Sequence, residues 1–118
     1  MLDGSASYGV DFNPAADRLR ITSNKGQNLR HNVNAAGVTV VDGALNYTPG
    51  LTALGIVGLA YTNNDLSANT ATTLCALDST LDQIALQSPP NSDQRGLLTA
   101  KRTSWPACPR RSRSCARA

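Results

Sequence analysis

Between Tyr8 and Val33, apolar and polar side chains alternate in three short runs, each closed by a turn. In Gly9-Val10-Asp11-Phe12, Val10 and Phe12 share one face and Asp11 points to the other. Asn13-Pro14-Ala15-Ala16-Asp17 reads as a turn: Pro14 fixes φ at the first corner, and Asn13 can bond forward to the backbone. Arg18 to Thr22 sends Leu19 and Ile21 one way and Arg18, Arg20 and Thr22 the other. Gly26 supplies the left-handed residue that a short hairpin loop needs. Asn28 to Val33 then places Leu29, His31 and Val33 with the apolar set and Asn28, Arg30 and Asn32 with the polar one. We take the apolar set as inward and the polar set as outward.

The alternation also sets the register, because a slip of one residue turns every apolar side chain over. Pairing Val10 with Ile21 and Phe12 with Leu19 brings Asp11 opposite Arg20. Pairing Ile21 with Leu29 brings Arg30 opposite Arg20. Two facing guanidinium groups repel on the cross-strand scale of a few tenths of a kcal/mol, and Asp11 beside them offsets that. The expectation is an Asp11–Arg20–Arg30 row on the outward face. It reads first as a structural ion network and second as an anion site.

A second round follows. Gly37 to Asp42 predicts a fourth strand, with Val38 and Val40 on one face, and Asn46-Tyr47-Thr48-Pro49-Gly50 reads as a loop. Val57 to Thr62 then matches Tyr8 to Asn13, displaced by 49 positions. Leu74 answers Leu19, and Ile84 and Leu86 answer Leu29 and His31, all displaced by 55. Repeats of about 40–50 residues with four short strands mark a β-propeller blade. A single Greek-key sandwich is the competing architecture. The predicted class is all-β: antiparallel four-stranded meanders making about two blades of an incomplete propeller.

Composition sharpens this picture. The chain has 118 residues, enough for one ordinary domain, with one Phe, one Trp and three Tyr, so its core rests on Leu, Ile, Val and Ala. Glu is absent, and Asn, Thr, Gly and Pro favour strands and turns over helices. No apolar run reaches the ~20 residues of a membrane span. The first residues lack the basic and apolar regions of a signal peptide.

The net charge of +3 averages two unlike segments. Residues 1–94 carry all eight Asp and only Arg18, Arg20, Lys25 and Arg30 as basic residues. Residues 95–118 carry seven basic residues and no acid, together with Trp105, Cys108 and Cys115. The shift predicts a domain over 1–94 and a basic Arg/Ser/Pro/Cys tail over 95–118 that is disordered or read in a shifted frame. Such a tail can meet phosphates, but its only aromatic is Trp105, and nucleic-acid binding is not expected.

Several blocks resemble one bacterial family, domain of unknown function 4394. They are Gly9 to Ile21, Gly26 to Arg30, Val41 to Leu45, Ala60 to Asn64, and Thr72 to Leu74 on to Gln87-Ser88-Pro89-Pro90-Asn91. The resemblance covers about residues 5–92 and implies an exported or surface-associated β-propeller, extracellular or at the cell surface. It implies no activity, because the family has no assigned catalytic residues. Its members are longer at both ends, which implies a chain truncated at both ends, and Cys75 stands where they often carry an aromatic.

Candidate chemistry is sparse. His31, the one histidine, sits at an inward position and reads as a core or blade-interface residue. Cys75, Cys108 and Cys115 match no zinc or redox spacing. Asn63-Asn64-Asp65 is the best local candidate for Ca²⁺ oxygen ligands, but turn chemistry accounts for it and for Asp42 and Asp78. No phosphate loop, nucleophilic triad or paired carboxylate is visible. No cofactor and no metal are expected, and the reading leans away from an enzyme. The expected role is a binding or scaffold module; a fragment of a propeller enzyme whose site needs missing blades, and a non-functional remnant, are the alternatives. Partners are open. Two blades with bare faces invite self-association.

Overall fold

A computed structural model describes residues 1–34, 37–63, 67, 69, 72–87 and 96–101. They form ten strands. The first sheet holds β1 (Tyr8–Asn13), β2 (Arg18–Ser23), β3 (Asn28–His31) and β4 (Thr39–Val41), in that spatial order. A small hairpin follows, β5 (Asn46–Thr48) with β6 (Leu51–Thr52). The second sheet holds β7 (Ile56–Tyr61), β8 (Leu74–Asp78), β9 (Gln83–Gln87) and β10 (Leu98–Lys101), again each beside the next in sequence. The chain is therefore all-β, with two four-stranded antiparallel meanders.

Local chemistry explains the first meander. Asn13 Oδ1 accepts from the amides of Ala15 (3.0 Å) and Ala16 (3.2 Å), closing the β1–β2 turn. Gly26, at φ +85°, turns β2 into β3. The registers are those that alternation requires: Val10 faces Ile21, Phe12 faces Leu19 and Asp11 faces Arg20. Ile21 faces Leu29 and Arg20 faces Arg30.

The assignment of faces is corrected. Val10 and Phe12 are each 51% exposed, whereas Arg20 is 2% exposed. Alternation sorts side chains onto two faces; it does not say which face is covered. Here β7 lies on the polar face. Gly9 makes this approach feasible, since a Cβ there would sit 2.8 Å from the Gly58 carbonyl carbon.

Two further expectations change. The segment read as a loop at Asn46–Gly50 forms β5 and runs into the hairpin, turned by Pro49 and by Gly50 at φ +89°. The segment read as a tail also supplies the fourth strand of the second meander, because β10 pairs with β9 from Leu98–Gln87 to Lys101–Ile84. Of the segment 95–118, residues 96–101 thus belong to this sheet and its entry; Arg95 and residues 102–118 lie outside the described residues.

The apolar core sits between the hairpin and the second sheet. Leu45, Ala53, Ile56, Ala76, Ala85 and Leu98 form it, with Tyr47 and Leu59 against its margin. Backbone bonds clip the layers together: the Ala53 amide donates to the Leu45 carbonyl (2.7 Å) and the Asn46 amide to the Gly96 carbonyl (2.8 Å).

Candidate functional site

The polar face of the first sheet meets β7 along a seam that contains all three residues of the expected row. Arg20 and Arg30 are cross-strand neighbours, and Asp42, just beyond β4, reaches both. Arg20 Nη1 donates to Asp42 Oδ2 at 2.7 Å, and Arg30 donates through Nε (2.6 Å) and Nη2 (2.8 Å) to its two carboxylate oxygens. The Asp42 side chain is 1% exposed. Like-charged guanidinium groups thus share one buried carboxylate, held by short charge-assisted bonds. Asn28 completes the cradle: its Oδ1 accepts from Arg20 (2.9 Å), and its Nδ2 donates to the Gly43 carbonyl (3.1 Å).

Asp11 stands in the row by register and faces the second sheet. Its Oδ2 accepts from the Tyr61 amide (2.7 Å) and its Oδ1 from the Phe12 amide (2.9 Å). The carboxylate therefore ties β1 to β7. The expected row is not an outward one: it is inside the seam, and Asp42 is the acid between the two arginines. Turn chemistry alone does not account for Asp42. The missed signal was its place directly after a strand that pairs with the Arg30 strand.

Tyr61 closes the seam from the other side, its phenol beside Arg20 and Asn13. Burial pushes this phenol above its ordinary range, although the Arg20 guanidinium pulls the other way. Past this point the ends of β1 and β7 open into a cleft of about 580 Å³ lined by Asp11, Asn13, Pro14, Asp17, Tyr61 and Asn63. Two carboxylates and two amides give it a polar wall, in which the Asp11 and Asn13 oxygens accept from backbone amides and Asp17 accepts from Asn34.

The remaining candidates separate. A ring nitrogen of His31 meets the Thr39 hydroxyl (2.8 Å) on the first sheet's apolar face. Cys75 is a free, half-buried thiol on β8. Asp78 accepts from the turn amides of Thr80 (2.9 Å) and Leu81 (3.0 Å) and from the Tyr47 phenol (2.7 Å). Of Asn63-Asn64-Asp65, only Asn63 is among the described residues, and Cys108 and Cys115 lie outside them. Among the described residues, no three His, Cys, Asp or Glu side chains converge as metal ligands would, and no helix is long and apolar enough to cross a membrane.

These blocks of strands and turns coincide with a known family. Domain of unknown function (DUF4394) matches residues 1–101. The chain belongs to the DUF4394 family. The match takes in both meanders, the hairpin and every residue of the seam, and extends through β10. No curated protein and no solved structure matches the chain.

Proposed function

We propose that this DUF4394 chain is a two-unit wedge of a β-propeller-like scaffold that acts as a binding module. One observation carries the reading: apolar pairs at corresponding places in β1–β2 and β7–β8 have opposite burial. Strand pairing defines the correspondence. Val10–Ile21 and Phe12–Leu19 in the first sheet match Leu59–Ala76 and Tyr61–Leu74 in the second. Tyr61, Leu74 and Ala76 are 8%, 0% and 1% exposed, whereas Val10 and Phe12 stand half in solvent.

Call this face of each unit its front and the other its back. The back of the first unit then packs on the front of the second. Head-to-tail stacking of this kind does not close by itself; about 4–8 such units close a propeller. A sandwich joins two faces of one kind and leaves none of that kind bare, so the pattern favours the propeller reading over the sandwich.

The correspondence also refines the repeat. Ile21 pairs with Leu29, and Ala76 pairs with Ala85, so Ala85 and Gln87 hold the places that the spacing gave to Ile84 and Leu86. The additional residue falls between β8 and β9, where Ser79 to Asp82 turn the chain.

In such a stack β1 and β7 are the strands nearest the axis, and their ends carry the polar cleft with the Asp11 and Asp17 carboxylates. That placement suits a ligand that donates hydrogen bonds or carries positive charge, held without covalent chemistry. The structure of a longer family member tests the reading. The expected result is a ring of four-stranded units, each front buried on its neighbour's back, with the first strands innermost. A closed two-sheet sandwich would overturn it.

A further inference from the structure

We infer that a second copy of this chain covers its bare flanks, the front of one copy's first unit docking on the back of the other copy's second unit. The inference rests on the wedge reading and names its partner. Three observations carry it.

The first is a repeated glycine. Gly9 lets β7 lie directly against the back of the first unit, and a Cβ there would collide with main-chain atoms of Gly58 and Leu59. Gly58 holds the corresponding place on the back of the second unit, pairing with Leu77 as Gly9 pairs with Thr22. A Cβ at Gly58 meets only the Leu77 side chain, 3.5 Å away. The clearance that receives a neighbouring strand is present there, and among the described residues no strand fills it.

The second is a change of chemistry on both partners together. On the back of the first unit stand Asp11, Arg20, Thr22 and Arg30; their counterparts on the second are Ala60, Cys75, Leu77 and Leu86. The polar back meets Tyr61, whose phenol lies beside Arg20. The apolar back would meet the Tyr61 counterpart of another copy, which is Phe12 and has no hydroxyl. Polar matches polar inside the chain, and apolar matches apolar between copies.

The third is shape. Gly58, Ala60, Cys75, Leu77 and Ile84 line a hollow of about 330 Å³ on the second unit's back. Repeating the internal stacking puts the Phe12 ring of the second copy over Cys75, at this hollow, because Tyr61 lies beside Arg20 and Cys75 is the counterpart of Arg20. Leu77, 51% exposed, and Ile84, 40% exposed, flank it, and Val10 (51%) and Val41 (75%) extend the incoming surface. Continuity with the internal interface thus fixes orientation and register.

The test is a disulfide trap on the full chain. Cys108 and Cys115 are replaced by Ser, Phe12 by Cys, and the purified protein is oxidised mildly and digested for mass spectrometry. The expected product is an intermolecular peptide joining positions 12 and 75. Cross-links joining 12 to 12 or 75 to 75 only, or no intermolecular cross-link, would overturn the inference. A second variant, Gly58→Ala in the wild-type background, is read by light scattering after size exclusion. The expected change is from oligomer to monomer with an unaltered circular dichroism spectrum; an unchanged oligomer, or a wild type that is already monomeric, would overturn it. A ring in a longer family member beside a chain that fails both tests refutes the second copy and leaves the wedge reading standing.

Discussion

Asp42 is the residue on which the seam's electrostatics depend. Two buried or half-buried guanidinium groups sit across a strand pair, and this carboxylate compensates both. Removing one partner of a buried ion cluster leaves uncompensated charge, which typically costs about 3–5 kcal/mol. Asp42→Asn should lose about that much in urea unfolding. Asp11→Asn should lose less, about 1 kcal/mol, because an amide oxygen still accepts from the Tyr61 amide. A second residue-scale prediction concerns Tyr47. Burial pushes its phenol up to about 12 from an ordinary 10.0, and the Asp78 carboxylate that it donates to adds to the rise. A raised phenol stabilises the fold fully below the unfolded value, and the contribution disappears as pH rises through the folded one. Stability should therefore fall between about pH 10 and 12. Tyr47→Phe should lessen that fall in thermal melts across the window, at a cost of about 1 kcal/mol at neutral pH.

At the scale of elements, contact between the sheets depends on a missing side chain. Gly9→Ala would put a methyl group against the Gly58 backbone, which cannot yield as a flexible side chain would. Overpacking of this kind costs about 1–3 kcal/mol, and chemical denaturation should show it, while Gly4→Ala, with open space around it, should be neutral. Much of the element scale was legible beforehand. The β1–β2–β3 registers followed from alternation, and the Gly26 turn from its chemistry. The match between Tyr8–Asn13 and Val57–Thr62 located β7 to within a residue. What alternation could not supply was the choice of covered face. Val10 and Phe12 look like a core, and Asp11, Arg20 and Arg30 look like a surface, until a second sheet arrives with a glycine at the contact. The hairpin β5–β6 escaped notice because Pro49 and Gly50 read as loop whether or not the flanking residues pair. β10 was hidden in a segment whose charge drew attention away from Leu98 and Ala100.

At the scale of the whole molecule, the described residues carry exposed apolar side chains on the outer faces of both sheets. Val41 stands on the first sheet and Leu77 on the second, both largely in solvent. Exposed apolar patches invite association, whereas a charge at an already exposed position alters folding stability by no more than about 0.5 kcal/mol. The pair Val41→Lys and Leu77→Lys should therefore raise the soluble fraction on expression and leave the midpoint of unfolding close to that of the parent. A large loss of stability in the double variant would show that these faces are part of the chain's own core.

The position of Leu98 bears on how this protein is made. Its side chain is 2% exposed, packed with Leu45 and Ile56, which are translated long before it. During synthesis those residues wait for β10 before their shelter from water is complete. A ribosome stalled ahead of Gly96 would hold a nascent chain with its second sheet unsealed, a natural target for chaperones. Only when β10 has left the ribosome can it pair with β9 and bury Leu98.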